Sequence, residues 1–321
     1  MRRLPGLALI VASLATVATA AQQAPRFRSR VELIEVDAVV VDDKGQVVTG
    51  LSRDDFEIFE DGHAIPIATF VPVASADAPE QQESRFILLV LDDLATEITL
   101  TTKIQNVARM FAERMGPRDV VAVVPLNGGK GSTSTNRAQV LAAIDRFKPT
   151  FRRSSPTGWG LRTIADLADQ MAHVKHRRKT IVCIGAAGLF SPTEPVTNGS
   201  PTYGPEWFDA VRAAARANAS LYVLDPIGLA AIGDIRSRRP GLGLVAGDAY
   251  NDGGRTFAEI TGGVAFVNSN LFERNVGQIW SEAGNYYLLS YEPPASKAKS
   301  HDIEVRVKRP GLQVRARRSR S

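Results

Sequence analysis

The chain has 321 residues, 44% of them hydrophobic and 23% charged, which excludes a disordered chain and leaves room for one large core or for a core with a smaller satellite. Its formal net charge of +5, part of it from Arg2 and Arg3 near the N-terminus, is too weak an excess to make nucleic-acid binding the main task. A single cysteine, Cys183, excludes an internal disulfide, so the fold must be held by its core.

Residues 1–20 read as a secretory signal: Arg2 and Arg3, an uncharged apolar run from Leu4 to Val17, and Ala18-Thr19-Ala20 as a small-residue cleavage site. The mature chain is expected to begin near Ala21, secreted or periplasmic. No later stretch is apolar for the roughly 20 residues that a membrane span needs. No cysteine stands at the cleavage point to carry a lipid.

From Val31 to Val41 apolar and polar residues alternate and then become continuously apolar, which predicts a strand. Asp42-Asp43-Lys44-Gly45 is a turn, Gln46–Val48 a second short strand, Leu51–Phe56 a short helical or turn step, and Phe56 to Val73 completes a β unit over 31–73. Forty residues of β structure bury too little to stand alone. A polar linker, Ala74 to Ser84, follows.

The pattern then changes. Phe86–Leu91 is an unbroken apolar run ending in Asp92-Asp93, as a strand buried on both faces reads when its C-terminal end lies at a site. Ile104, Val107, Ala108, Phe111 and Met115 mark a helix stopped by Gly116-Pro117. A strand over Val120–Leu126, a glycine-rich turn at 128–131, helices around Val140 to Phe147 and Leu161 to Met171, and a strand over Thr180–Ile184 come next. Cys183, inside that last run, reads as a small buried hydrophobe. A helix around Trp207 to Ala215 and a strand over Leu221–Leu224 follow, then a Gly- and Arg-rich loop at 230–254. A helix at Phe257–Ile260, a strand at Val264–Val267 and a helix through Ile279 close the series. Alternating helices and continuously apolar strands predict a doubly wound, mostly parallel sheet over 84–283. The β pattern returns in Tyr286–Tyr291, and strict alternation in Ile303, Val305, Val307, Leu312, Val314 and Ala316. Residues 285–318 are therefore predicted to join 31–73 in one small β-sandwich, with the α/β domain inserted between them.

In this order the stretches Val36–Gly45, Leu51–Gly62, Leu91–Leu94, Leu224-Asp225-Pro226, Thr261-Gly262-Gly263 and Tyr286–Tyr291 resemble the VWFA-related domain family of acidobacterial type. The resemblance implies a von Willebrand factor A-like fold, whose members commonly bind other proteins, often through a divalent ion at the C-terminal edge of the sheet. The motif of metal-binding members is Asp-x-Ser-x-Ser, a Thr from a second loop and an Asp from a third. Asp92 matches the first Asp, Leu94 replaces the first Ser, Thr96 stands in for the second, and Thr157 matches the second-loop Thr. The third loop reads Gly185-Ala186-Ala187-Gly188 and has no carboxylate. Mg²⁺ prefers an octahedron of hard oxygens, so the implied site is degenerate and holds no ion or a weakly bound Mg²⁺. Asp93, Glu97, Gly185 and Gly188 complete the expected partner-binding rim.

The resemblance thus implies an exported protein-binding or adhesion module, not an enzyme, with a protein partner in the cell envelope or outside the cell. Two other readings stay open: an exported hydrolase-like enzyme gathering its residues from the same loops, and a structural envelope component with a vestigial site. Against the enzyme, no compact nucleophile, base and orienter set is present, and Asp92 and Asp93, adjacent at a strand end, point to opposite sides. The run Asn127–Ser132 lacks phosphate-loop spacing and reads as a flexible loop. His173 and His176, flanked by Lys175 and Arg177 to Lys179, read as a solvated helix end, and His63 and His301 have no companions nearby in sequence. Arg315, Arg317, Arg318 and Arg320 read as a charged, partly disordered tail.

Overall fold

A computed structural model describes residues 33–74, 85–94, 96–149, 158–174, 178–185, 187–190, 194–197, 200–229, 249–296, 298 and 300–320. The leader reading at 1–20, most of the 74–84 linker, Thr157 and the loop from 230 to 248 lie outside them. Helices up to 13 residues long follow, and none among the described residues is long and apolar enough to cross a membrane.

In chain order the first strands are β1 (Ile34–Val41), β2 (Phe56–Glu60), β3 (His63–Ile65) and β4 (Thr69–Val73). The α/β part runs β5 (Phe86–Leu91), α1 (Thr101–Glu113), β6 (Val120–Pro125), β7 (Ser132–Ser134), α2 (Arg137–Asp145), α3 (Trp159–Met171) and β8 (Lys179–Ile184). It continues through a hairpin, β9 (Glu194–Thr197) and β10 (Ser200–Thr202), then α4 (Pro205–Ala217), β11 (Ala219–Leu224), α5 (Ala249–Ile260), β12 (Ala265–Phe266) and α6 (Phe272–Gly284). The last strands are β13 (Tyr286–Tyr291), β14 (His301–Val307), β15 (Gln313–Arg315) and β16 (Ser319–Arg320).

The central sheet has the order β12-β11-β8-β5-β6-β7, parallel throughout except for the antiparallel edge β7. β5 lies in the middle, and its apolar run serves two cores at once. Leu88 and Val90 face Ile164, Ala168, Trp207 and Ala214, whereas Ile87, Leu89 and Leu91 face Ile104, Phe111, Val276 and Ile279. This is why the sequence there shows no polar alternation: neither face meets water. Trp207 stacks on Tyr203 with 4.2 Å between ring centroids and touches Phe257, closing the α3–α5 face.

The terminal strands interleave in two four-stranded sheets, β15-β1-β13-β4 and β16-β14-β2-β3. β1 pairs antiparallel with β13 and β15, and β2 pairs with β14. Val36, Ala38, Val40, Phe56, Ile58, Leu289 and Tyr291 fill the space between the sheets. Both sheets therefore need strands from both ends of the chain. The Tyr287 hydroxyl donates to Val48 O and accepts from Leu51 N, both at 3.1 Å, pinning the segment between β1 and β2.

Several local expectations change. Gln46–Val48 makes one isolated bridge, Val41 to Val47, instead of a strand. The glycine turn leads into β7, whose three hydroxyl residues carry no apolar signal. The helix expected at Phe257 begins at Ala249. Arg178 and Lys179, expected in solvent, are buried at the start of β8 because the sandwich covers that end of the sheet.

The arginine tail is likewise ordered. Arg315 pairs with the fully buried Glu282 of α6, which also accepts from the Tyr222 hydroxyl at 2.8 Å and from Gln278 at 2.9 Å. Arg317 donates to Ala215 O and Glu35 O, both at 2.6 Å, and Arg318 pairs with Glu259. Arg178 donates to the Tyr222 hydroxyl at 3.1 Å and to Gly262 O at 3.3 Å. Burial, then the Glu282 charge, pushes the Tyr222 hydroxyl well above its ordinary pKa. Burial also raises the Asp37 carboxyl, opposed by Arg178, Lys179 and Arg317.

Candidate functional site

The candidate rim lies at the C-terminal end of the parallel strands. Backbone ladders continue past the strand ends: Asp92 N donates to Ile184 O at 3.0 Å, Gly185 N to Leu224 O at 3.1 Å and Asp225 N to Phe266 O at 3.1 Å. The loops after β5, β8 and β11 thus leave the sheet in one row. Between β5 and β8 the connections diverge to opposite sides, which is the switch point where doubly wound sheets open a crevice.

Asp92 is fully buried. One carboxylate oxygen, Oδ1, accepts from Leu94 N at 2.9 Å, and Oδ2 accepts from the Thr96 hydroxyl at 2.7 Å. The aspartate therefore folds its own loop back over itself, and Thr96 is buried with it. Gly185 is the neighbour on the other side. A Cβ there would lie 2.1 Å from the Asp92 Cβ, so a side chain at 185, carboxylate or otherwise, collides with the first-loop aspartate.

Asp93, also buried, turns instead to the next loop, where its Oδ1 accepts from Asn127 N at 2.9 Å. Glu97 is half-buried ahead of a 3-10 turn, Ile98–Leu100, and accepts from the Thr99 hydroxyl at 3.2 Å. Gly188 sits in a second 3-10 turn, Ala187–Phe190. Thr157 lies outside the described residues. The structure thus brings Asp92, Thr96 and Gly185 together, and directs Asp93 away from them.

Sequence reasoning passed over Asp225, a buried carboxylate at the end of β11 whose Oδ1 accepts from Ile227 N at 2.8 Å. Its signal was present, since Leu224-Asp225-Pro226 repeats the strand-then-aspartate form of Leu91-Asp92. Burial, then the charges of Asp92 and Asp225, pushes the Cys183 thiol well above its ordinary range. A thiol so held stays protonated and is a poor nucleophile.

Among the described residues the donors that answer to an octahedral Mg²⁺ set are Asp92 and Thr96, and these bond to each other. Buried Leu94 stands where a hydroxyl is needed, and Gly185 has no room for a carboxylate. Among the described residues, Asp92 and Thr96 thus offer fewer oxygens than an octahedral ion takes. Of the described residues, one group of three metal-ligand types converges, Glu60, Asp61 and His301 in the sandwich. There Arg320 Nε donates to Glu60 at 2.9 Å and the Tyr291 hydroxyl donates to it at 2.5 Å, while His301 Nδ1 lies 2.6 Å from Asp61. The Arg320 guanidinium already pairs with Glu60. His301, without companions in the sequence, has them in the fold.

Four large apolar side chains are exposed on the rim. Ile98, in the loop after β5, is 66% exposed; Leu229, after β11, 71%; Leu271, between β12 and α6, 58%; and Trp159, opening α3, 43%. Lys103 Nζ donates to Ile227 O at 3.2 Å and lies 5.1 Å over the Phe272 ring, and Leu229 N donates to Asn270 Oδ1 at 3.1 Å. These bonds tie α1 to the loops after β11 and β12. Trp159 Nε1 donates to Asn127 O at 3.2 Å, joining its end of the rim to Asp93.

Strand order, the single antiparallel edge and helices on both faces define a von Willebrand factor A-like, doubly wound domain carried with a β-sandwich. No protein-family profile matches the chain, and no curated protein matches it. Solved structures similar to it include BatB from Bacteroides thetaiotaomicron, at 17% identity over 62% of this chain and 98% of that one, with a TM-score of 0.41. The VWA domain of SpRpn10 is similar at 12% identity over 61% and 94%, TM-score 0.35. The pilus adhesin SpaC from Lactobacillus rhamnosus GG is similar at 12% over 75% and 36%, TM-score 0.40. The class rests on the strand order and not on these distant likenesses.

Proposed function

We propose that the chain is an exported, non-enzymatic binding module that docks a protein partner, in the cell envelope or outside the cell, on the rim at the C-terminal edge of its parallel sheet. The observation that carries this reading is a set of exposed apolar side chains on the rim: Ile98, Leu229, Leu271 and Trp159 stand on four segments at one end of the sheet. Large exposed apolar groups gathered at one place mark interaction surfaces more often than chance scatter does. The polar interior of the rim favours docking over catalysis, because Asp92 and Asp225 are buried and bonded to their own loops. A general acid or base must reach a substrate proton.

Docking in this reading needs no metal: the site is a degenerate relative of an ion-dependent adhesion site, with no ion or a weakly held Mg²⁺. The test is cross-linked capture from an envelope fraction by the wild type and by an Ile98→Ser/Leu229→Ser variant, each with and without chelator. Capture that survives chelation and is lost in the variant is expected. Equal capture by both proteins would remove the rim as the docking surface, and capture lost on chelation would restore the ion.

A further inference from the structure

The loop between β6 and β7 lacks the spacing of a phosphate loop, and its backbone agrees. The amides of Asn127, Gly128 and Gly129 donate to Asp93 Oδ1, Pro125 O and Asn127 Oδ1 at 2.9, 3.2 and 2.7 Å. They are turned inward and do not cradle an anion. The loop instead forms one wall of a cavity of about 250 Å³ beside Asp93, and the end of α2 forms the other wall. Lys130 comes from the first wall, Arg146 and Lys148 from the second, and all three are exposed. No ion pair or side-chain hydrogen bond joins any of the three to a described residue. Apolar atoms of Leu91, Val123 and Phe147 also line the space.

We propose that this cavity receives an acidic side chain of the protein partner, with an apolar neighbour of that side chain seated against Phe147. The inference rests on the docking reading above and names the chemistry of the docked segment. Three cations around one cleft focus a positive potential that only an anion relieves. Ion pairs that involve arginine gain directional, charge-assisted hydrogen bonds as well. The partner in the docking reading is a protein, whose own anionic side chains are carboxylates, and the amides of Asn127, Gly128 and Gly129 are bonded to Asp93, Pro125 and Asn127 instead of being offered to an anion.

The test is nuclear magnetic resonance titration of the isotope-labelled chain with N-acetyl-Leu-Glu-Leu-amide, with its glutamine counterpart and with inorganic phosphate. Saturable shifts at Gly129, Lys130, Ser132 and Phe147 are expected with the acidic peptide, weakening as salt is raised. Binding of the glutamine peptide should be roughly tenfold weaker. The Lys130→Gln/Arg146→Gln/Lys148→Gln variant should lose the shifts while keeping the wild-type melting temperature. Equal binding of the two peptides, undiminished binding by that variant, or tighter binding of phosphate than of the acidic peptide would overturn the proposal. Partner capture separates the two readings. Loss with both the triple variant and Ile98→Ser/Leu229→Ser supports both. Loss with the latter alone sinks the acidic pocket but leaves the rim, and retention with both sinks the rim itself.

Discussion

The two ends of the parallel sheet differ in how far their buried charges reach along the chain. At the C-terminal end Asp92 bonds to Leu94 and Thr96 and Asp225 to Ile227, within four residues, while Asp93 reaches Asn127, 34 residues on. At the N-terminal end Glu282 meets Arg315 and Tyr222, the Arg178 guanidinium meets the Tyr222 hydroxyl, and Arg317 meets the Glu35 carbonyl, at separations of 33, 60, 44 and 282 residues. Local bonding shapes a loop and leaves its outer apolar groups exposed. Long-range bonding makes the base of the domain and the sandwich fold as one body, and from Leu33 onward the chain forms one compact unit.

If that contrast holds, the largest loss of stability should come from the base. Glu282→Ala leaves Arg315 and the Tyr222 hydroxyl without their buried acceptor, and should cost about 3–5 kcal/mol in urea unfolding. A cost near zero would mean that the joint is not a cooperative part of the fold. Gly185→Ala at the rim forces its new methyl against Asp92 and should cost about 1–3 kcal/mol, as overpacking does; Thr96→Val, which removes one donor to Asp92, belongs in the same range or below it. Because the chain from Leu33 onward forms one compact unit, both rim variants should speed the slowest hydrogen exchange in the sandwich strands by the factor that their loss of stability sets. Unchanged exchange there would show that the two ends open independently.

Acid sharpens the comparison further. Glu60 is pulled two ways: burial raises its pKa, but the Arg320 and Tyr291 hydrogen bonds outweigh burial and lower it. Such a carboxylate adds stability above its ordinary value of 4.5, and that stability is lost as pH falls through the lower folded value. Asp37, raised by burial, has the opposite sign: it favours the fold while protonated and weakens it as pH rises through the range above 3.8. Glu60→Gln should therefore flatten the acid limb of the stability curve, and Asp37→Asn should lift stability at neutral pH relative to acid. The smallest effect is expected at the exposed Arg109–Asp145 pair, where Arg109→Ala should cost less than about 1 kcal/mol.

The same contrast explains what could be read in advance. Phe86–Leu91 and Thr180–Ile184 announce themselves because a strand covered on both faces is apolar without interruption, and Asp92 at such a strand's end marks the rim. The sandwich was legible from alternation at both ends of the chain. What stayed hidden depends on partners distant in sequence or on surfaces that carry no periodic signal. Arg178 and Lys179 sit among other cations and look solvated until the sandwich covers them. His301 meets Asp61 across 240 residues. β7 is an edge of three hydroxyl residues held by pairing with β6 and by the Ser134 hydroxyl, which donates to Gln139 and accepts from Asn136 N. Leu229 and Leu271 are single leucines in loops, and only the fold places them on the same end of the sheet as Ile98.

The central claim is that this end of the sheet is where another protein docks. Hydrogen–deuterium exchange of the chain, alone and with the partner captured from the envelope, tests it most directly. The account predicts added protection in 96–100, 127–132, 225–229 and 268–272, with the strands of the sandwich unchanged. Protection confined to the sandwich, with those four loops exchanging as in the free protein, would contradict it.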